Sequence, residues 1–199
     1  MKFVMHTITI AATFAAIVLN NPRPAIEAAN QAAASDEQAT AVKGTADTLI
    51  AAGMRKPAPG FALTDAQGQL VSLSAYKGKV VLLDFWATWC GGCKIEIPWY
   101  MEFDKEYKNK GLAVIGVAMD DEGWKVVRPF LALKRDPETG GNTSMQYPVV
   151  LGSEGLAKQY NLTSMPMTLL IDKEGRIAVA HTGMVDKANF ESHIQELLR

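Results

Sequence analysis

The order of apolar and polar residues predicts alternating strands and helices along most of the chain. Two continuous apolar runs, at 80–85 and 112–118, have the length of strands and are typical of strands covered on both faces of a sheet. Residues 93–110 between them predict a helix that ends at Gly111, a residue suited to the C-terminal capping position. Together these elements predict a parallel strand-helix-strand unit.

Shorter elements are predicted on both sides of this unit. Strands at 61–64 and 70–73 flank a turn at 65–68. A helix at 122–136, which Pro129 is expected to kink, follows the second apolar run. The remaining predicted elements are a strand at 147–151, a short helix at 156–160, a hairpin of strands at 167–172 and 176–181, and a closing helix at 186–199 capped by Asp186. This pattern indicates the α/β class.

The N-terminal residues are typical of a targeting segment. Lys2 is followed by an uncharged stretch at 7–19, which is shorter than the roughly 20 residues needed to span a membrane. A stretch of this size matches the apolar region of a secretory signal, so residues 1–24 are interpreted as a signal peptide. An uncleaved N-terminal anchor is the alternative for the same residues.

An Ala-rich linker is predicted between this segment and the domain. Residues 25–56 are rich in Ala, Gln, Ser, Asp and Thr and show no sustained core pattern. Within them, residues 48–54 either continue the linker or form a short helix packed on the domain. The sequence Pro57-Ala58-Pro59-Gly60 cannot continue a helix, so we place the folded domain at 57–199.

Composition narrows the classes of function. A chain of 199 residues with 48% hydrophobic residues suits one core-forming domain with an appendage. The net charge of -1 and the scattered Lys and Arg residues supply no basic field, so we expect no nucleic-acid partner. The three histidines lie far from the two cysteines and show no ligand spacing, so we expect no metal site.

The two cysteines carry the candidate chemistry. Cys90 and Cys93 are separated by two glycines and follow the first apolar run, where a buried strand gives way to a helix. Thiols at this spacing can exchange between dithiol and disulfide without moving the backbone. A bridge that closes so short a loop adds little chain entropy, so an inert structural disulfide explains the pair poorly. The spacing therefore indicates thiol-disulfide redox chemistry.

The residues around the pair resemble a known group of proteins. The string from Asp84 to Lys94, followed by Pro98 and later by Met165-Pro166-Met167-Thr168, resembles the thioredoxin superfamily. The export signal, Glu96 and the added segment 119–147 resemble its TlpA/ResA group of extracytoplasmic thiol-disulfide oxidoreductases. The resemblance implies a thioredoxin fold over 57–199: a central mixed β-sheet flanked by helices, with extra N-terminal strands and a central helical insertion.

The resemblance, with simple electrostatics, implies roles for the cysteines. We expect Cys90 to be exposed at the helix N-terminus, where the helix dipole favours a thiolate that attacks a partner disulfide. Cys93, one turn into the helix and more shielded, would resolve the mixed disulfide. The pair would be the redox centre, with no separate cofactor. The glycines between them depart from the family's usual proline before the second cysteine, which leaves the redox potential open.

Other matched positions are expected to support these sulfurs. Asp84 lies on the central strand, where burial should raise its pKa, and the family has there an acid that helps to move the proton of the second cysteine. Glu96 is on the same helix face as Cys93 and matches the acid that marks the TlpA/ResA group. Pro166 matches the family's cis-proline, and the backbone of Met165 before it would pair with an extended substrate. Trp89 is expected to frame the substrate groove.

Three functions follow as hypotheses. The first is a bacterial extracytoplasmic, monomeric reductase of disulfides in exported proteins, with apocytochrome c as one candidate substrate and a membrane protein as electron donor. The second is a thiol peroxidase, suggested by the segment 119–147, although Pro57 and Pro59 are far from Cys90 in the sequence. The third is a non-enzymatic binding module, against which the intact cysteine pair argues.

Overall fold

The computed structural model describes residues 48–199, in which a five-stranded mixed sheet forms the centre. The predicted signal peptide or anchor at 1–24 and the linker residues 25–47 lie outside the described residues. The strands of this sheet are β3 (Val80–Trp86), β4 (Leu112–Ala118), β5 (Val149–Leu151), β6 (Met167–Ile171) and β7 (Ile177–Thr182). Their spatial order is β5-β4-β3-β6-β7. β3, β4 and β5 are parallel, whereas β6 is antiparallel to both β3 and β7.

Helices and a small second sheet complete the described part of the chain. The helices are α1 (Gly91–Tyr107), α2 (Trp124–Ala132), α3 (Glu154–Gln159) and α4 (Lys187–Leu198). An antiparallel hairpin of β1 (Ala62–Thr64) and β2 (Leu70–Ser72) precedes β3. Short 3-10 turns lie at Ala52–Met54, Leu73–Tyr76 and Lys108–Lys110. No helix among the described residues is long and apolar enough to cross a membrane.

The sheet is covered on both faces, which explains the continuous apolar runs of β3 and β4. Every residue of these two strands is buried. Because successive side chains of a strand point to opposite faces, Leu82 and Trp86 pack with α1 on one face while Leu83 and Phe85 face the other core. Asp84, between Leu83 and Phe85, therefore lies on the α1 side.

Several element boundaries differ from the predicted ones for local reasons. Helix α1 begins at Gly91 rather than residue 93, because the Cys90 sulfur acts as its cap and accepts the Cys93 N–H at 3.2 Å. Helix α2 is four residues shorter at its C-terminal end than predicted, because the chain becomes extended at Leu133. Helix α3 begins two residues early, since the Ser153 hydroxyl accepts the Leu156 N–H.

The residues just before Pro57 pack against the domain. The Ile50 N–H donates to the Ala178 carbonyl at 2.8 Å, and the Lys56 carbonyl accepts the Ile177 N–H at 2.8 Å. Arg55 forms an ion pair of 3.2 Å with the buried Asp172. For residues 48–54, the sequence allowed either a continued linker or a short packed helix. The structure has one short 3-10 turn there, Ala52–Met54.

Candidate active site

A disulfide joins Cys90 and Cys93 at the N-terminus of α1. Cys93 is fully buried, as expected for the more shielded sulfur. Cys90 is only 5% exposed, so the prediction that it is exposed is wrong in this oxidised state. The physical reason is that its sulfur turns inward, both to bond with the buried Cys93 and to accept the Cys93 N–H.

An acid from the neighbouring strand holds the loop that carries Cys90. The buried Asp120, just beyond β4, accepts hydrogen bonds from the Thr88 N–H at 3.1 Å and from its hydroxyl at 2.5 Å. The Met119 N–H also donates to the Trp86 carbonyl at 2.8 Å. Asp120 was not among the predicted site residues. Its position directly after the parallel neighbour of β3 was the available signal, because the carboxyl ends of parallel strands meet at one edge.

The Met165–Pro166 peptide bond is cis and lies against the turn between the cysteines. A Cβ atom built on Gly92 would be 3.2 Å from Pro166 Cδ and 3.1 Å from Met184 Cγ. The Gly183 N–H donates to the Pro166 carbonyl at 2.8 Å and thereby fixes the loop that carries Met184. The predicted cis bond is confirmed. Met184 was missed because it is about ninety residues away in the sequence.

The rim of the site is apolar and exposed to solvent. Trp89 is 67% exposed and Met184 is 47% exposed. Ile95, on the second turn of α1, is 41% exposed, while Met165 is half-buried. Trp86, in contrast, is fully buried and its ring centroid is 5.2 Å from that of Phe130. A rim of this kind offers apolar contacts to a partner beside the sulfurs.

Two acids are buried in the core that also contains Cys93. Asp84 is 1% exposed and Glu96 is fully buried, which excludes a solvated position for Glu96. Glu96 Oε1 accepts the Val185 N–H at 2.6 Å. Among residues 48–199, Asp84 Oδ1 and Glu96 Oε2 have no hydrogen-bond partner. Buried polar atoms without partners are uncommon and call for an explanation.

Burial shifts the proton affinity of both acids. It raises the pKa of Glu96 to about 7, although the Val185 N–H and the Tyr100 hydroxyl favour the charged form. Burial, followed by repulsion from Glu96, raises the pKa of Asp84 well above its ordinary value. The Glu96 carboxyl group can therefore bind a proton near neutral pH, and the pKa of Asp84 is shifted in the same direction. Proton binding in this range is the property needed to exchange protons with a thiol.

A buried lysine connects α1 to the loop after α2. Lys94 directly follows Cys93, and its ammonium is 3.3 Å from Asp136 and 2.8 Å from Glu138. Asp136 is 2% exposed and also accepts hydrogen bonds from Thr139. This ion pair holds the loop at 133–143 beside the active-site helix. No group of three or more His, Cys, Asp and Glu residues that could bind a metal is present in residues 48–199.

Comparison with known proteins places this arrangement in a family. The model of the AhpC/TSA family matches residues 54–180, which is more than half of the chain. The chain belongs to the AhpC/TSA family of thioredoxin-like proteins. This AhpC/TSA member is 34% identical over 154 residues to the thiol-disulfide oxidoreductase ResA of Geobacillus kaustophilus, a match that covers 77% of this chain and 82% of the relative. The predicted ResA-like identity is confirmed.

Solved structures similar to this AhpC/TSA member are also thiol-disulfide exchange proteins or thioredoxins. A Chlorobium tepidum structure assigned as the thiol:disulfide interchange protein DsbE has a TM-score of 0.64 and 34% identity, covering 73% of this chain and 97% of that one. The exposed lipoprotein thioredoxin Etrx1 of Streptococcus pneumoniae has a TM-score of 0.58 and 29% identity, covering 70% of this chain and all of that one. The thioredoxin fold is confirmed, and the protein is a thiol-disulfide oxidoreductase.

Proposed function

We propose that this oxidoreductase reduces disulfides of exported proteins, with Cys90 attacking the partner and Cys93 resolving the mixed disulfide. The observation that carries the proposal is the pair of buried acids in the core around Cys93. Asp84 and Glu96 both have raised pKa values, and each has one carboxyl oxygen without a partner among the described residues. A base of this kind can take the proton that Cys93 must lose before it attacks.

The first step forms the mixed disulfide. The Cys90 thiol loses its proton to solvent, and the helix N-terminus and the Cys93 N–H stabilise the thiolate. The thiolate attacks one sulfur of the partner disulfide, so a bond to Cys90 forms while the partner's S–S bond breaks. The sulfur that leaves takes up a proton from solvent.

The second step releases the reduced partner. The Cys93 S–H proton passes to the buried acids, and the Cys93 thiolate attacks the Cys90 sulfur. The Cys90–Cys93 disulfide forms, the mixed disulfide breaks, and the second partner sulfur leaves and is protonated. Two electrons have passed from the dithiol to the partner. A membrane donor protein returns two electrons for the next cycle.

Recognition is assigned to the groove beside the sulfurs. An extended partner segment would pair with the Met165 backbone next to the cis Pro166, and Trp89 would cover the segment from the rim. The exposed apolar side chains of Trp89 and Met184 support this assignment. The close packing of Pro166 and Met184 on Gly92 also supports this assignment. Because these side chains cover Gly92, a partner would reach the sulfurs along the rim.

The proposed location is outside the bacterial cytoplasm. The basis is the signal peptide or anchor predicted at 1–24, together with a structural relative whose name describes an exposed lipoprotein. In this compartment the protein would act as a monomer on exported substrates, with apocytochrome c as one candidate.

Trapping tests this proposal. In the full-length Cys93→Ser variant the mixed disulfide cannot be resolved, so exported proteins should remain attached to Cys90 through bonds that dithiothreitol cleaves. The Cys90→Ser/Cys93→Ser double variant is the matched control and should trap nothing. Absence of protein adducts, or peroxide-derived oxidation of Cys90 as the sole product, would overturn the proposal and favour the thiol peroxidase.

A further inference from the structure

Two buried hydroxyl groups lie between the two acids. Tyr100 is one helical turn after Glu96 on α1, so their side chains share a face. Thr168 on β6 is directly opposite Asp84 on β3, and opposite residues of antiparallel strands point to the same face of a sheet. The Tyr100 hydroxyl and Thr168 Oγ1 are 2.8 Å apart, and both residues are fully buried. Helical spacing thus places Glu96 beside Tyr100, and strand register places Asp84 beside Thr168.

The number of hydrogens determines how many protons the two acids hold when the four groups form one hydrogen-bonded series. A hydrogen-bonded series of Glu96, Tyr100, Thr168 and Asp84 has three links, and each link requires one hydrogen. The structure shows the middle link, between Tyr100 and Thr168. The two hydroxyls supply two hydrogens, so one further proton on either acid fills all three links. With both acids ionised one link is unfilled, and with both protonated one hydrogen has no acceptor. The series therefore favours one proton shared between two acids.

We propose that Tyr100 and Thr168 are positioning residues that join Asp84 and Glu96 into a single base for the Cys93 proton. This inference rests on the proposed function of the two acids. The joined unit holds one proton at rest and carries one negative charge. When the Cys93 S–H bond breaks, a new O–H bond forms on the unit, which becomes neutral and later returns the proton to solvent.

The titratable groups that interact with the two acids are tyrosines and other acids. Besides Glu96 and Tyr100, the titratable group that interacts with Asp84 is Tyr147, which itself also interacts with Asp104. The Tyr147 hydroxyl is buried, and burial raises its pKa well above the ordinary value, so it stays protonated. In the described residues, no lysine or arginine is among the groups that shift the pKa of either acid.

The reaction of the fully reduced, full-length protein with 5,5′-dithiobis(2-nitrobenzoate) tests the inference. Attack by Cys90 releases one thionitrobenzoate, and resolution by Cys93 releases the second, so the second phase reports the Cys93 proton transfer. We expect Tyr100→Phe and Thr168→Val each to move the pH midpoint of this phase upward by about one unit, a roughly tenfold loss of rate near pH 7. Both variants remove a donor that favours the carboxylate.

Conservative variants separate this effect from loss of packing. Thr168→Ser keeps the hydroxyl and should retain the wild-type midpoint. Tyr107→Phe is the matched control on the same helix. It removes a hydroxyl that lies away from the site and donates a hydrogen bond of 2.6 Å to Glu191. If Tyr100→Phe does not fold, the comparison of Thr168→Val with Thr168→Ser gives the same answer. Combining Tyr100→Phe with Thr168→Val should shift the midpoint no further than either change alone.

The acid variants distinguish the two proposals. If Asp84→Asn and Glu96→Gln leave the second phase unchanged, the proton-accepting function of the acids fails. If they slow it while Tyr100→Phe and Thr168→Val keep the wild-type midpoint, the acids act independently and this inference alone is overturned. A midpoint shift equal in Thr168→Ser and Thr168→Val would also contradict it, because the hydroxyl would then be irrelevant.

Discussion

The buried Glu96 lowers the free energy of unfolding at neutral pH. Its pKa is raised from an ordinary 4.5 to about 7, mainly by burial. A carboxyl group whose pKa is higher in the folded state stabilises the fold below its unfolded pKa and loses that contribution as the pH rises through the folded pKa. The protein should therefore become less stable between about pH 4.5 and 7, and the acid is retained for function rather than stability.

Glu96→Gln should remove this pH dependence. The amide oxygen can still accept the Val185 N–H, but no charge is buried at high pH. We expect the variant to be more stable than the wild type above pH 7 by up to about 3 kcal/mol, with the difference vanishing below pH 4.5. Urea unfolding across this range measures it. Glu106→Gln, on the exposed side of the same helix, is the control, and equal stability of Glu96→Gln and wild type at pH 8 would contradict the account.

The two glycines between the cysteines differ in their surroundings. A Cβ atom on Gly91 would have no neighbour within 4 Å, whereas one on Gly92 would press on Pro166 and Met184. Alanine in a helix is favoured over glycine by about 1 kcal/mol where it fits. We therefore expect Gly91→Ala to stabilise the oxidised protein and Gly92→Ala to be less stable than Gly91→Ala by about 1 kcal/mol.

Chemical denaturation of the two oxidised variants measures this difference. Met184→Ala should bring Gly92→Ala closer to Gly91→Ala, since it removes one of the two close contacts. If both alanine variants have the same stability with Met184 in place, the packing of Met184 and Pro166 on Gly92 does not constrain the turn.

At the scale of elements, Lys94 fixes the loop at 133–143 to α1. Its side chain is 8% exposed and that of Asp136 is 2% exposed, so removal of the lysine leaves a carboxylate buried without its cation. We expect Lys94→Ala to lower the free energy of unfolding by about 2 to 3 kcal/mol and to increase proteolysis of the loop. Lys125→Ala breaks the exposed pair with Glu122 and should change stability by less than about 0.5 kcal/mol. Equal effects of the two changes would refute this function of the ion pair.

The apolar pattern predicted the elements of the sheet better than their ends. β3 and β4 were predicted from runs that are apolar apart from Asp84, because both faces of the sheet are covered. The start of α1 depended on a sulfur acting as a cap, and the end of α2 depended on the chain leaving the helix at Leu133. Neither event has a periodic signal, since each is decided by contacts made after the chain folds.

At the scale of the whole molecule, the site is assembled from distant segments. Cys90, Cys93, Asp84 and Glu96 lie within thirteen residues and could be proposed from spacing and resemblance. Asp120, Thr168 and Met184 reach the same place through strand pairing and a loop, so their proximity is a property of the fold. Tyr100 was overlooked because a tyrosine on an amphipathic helix usually indicates core packing.

The central claim is that the dithiol reduces protein disulfides with Asp84 and Glu96 accepting the Cys93 proton. The most direct test is stoichiometric reduction of insulin by the reduced protein at pH 7, with Cys90→Ser as the inactive control. The account predicts one insulin disulfide reduced for each Cys90–Cys93 pair, and a rate at least about 100-fold lower in the Asp84→Asn/Glu96→Gln double variant. A double variant that reduces insulin at the wild-type rate would contradict the account.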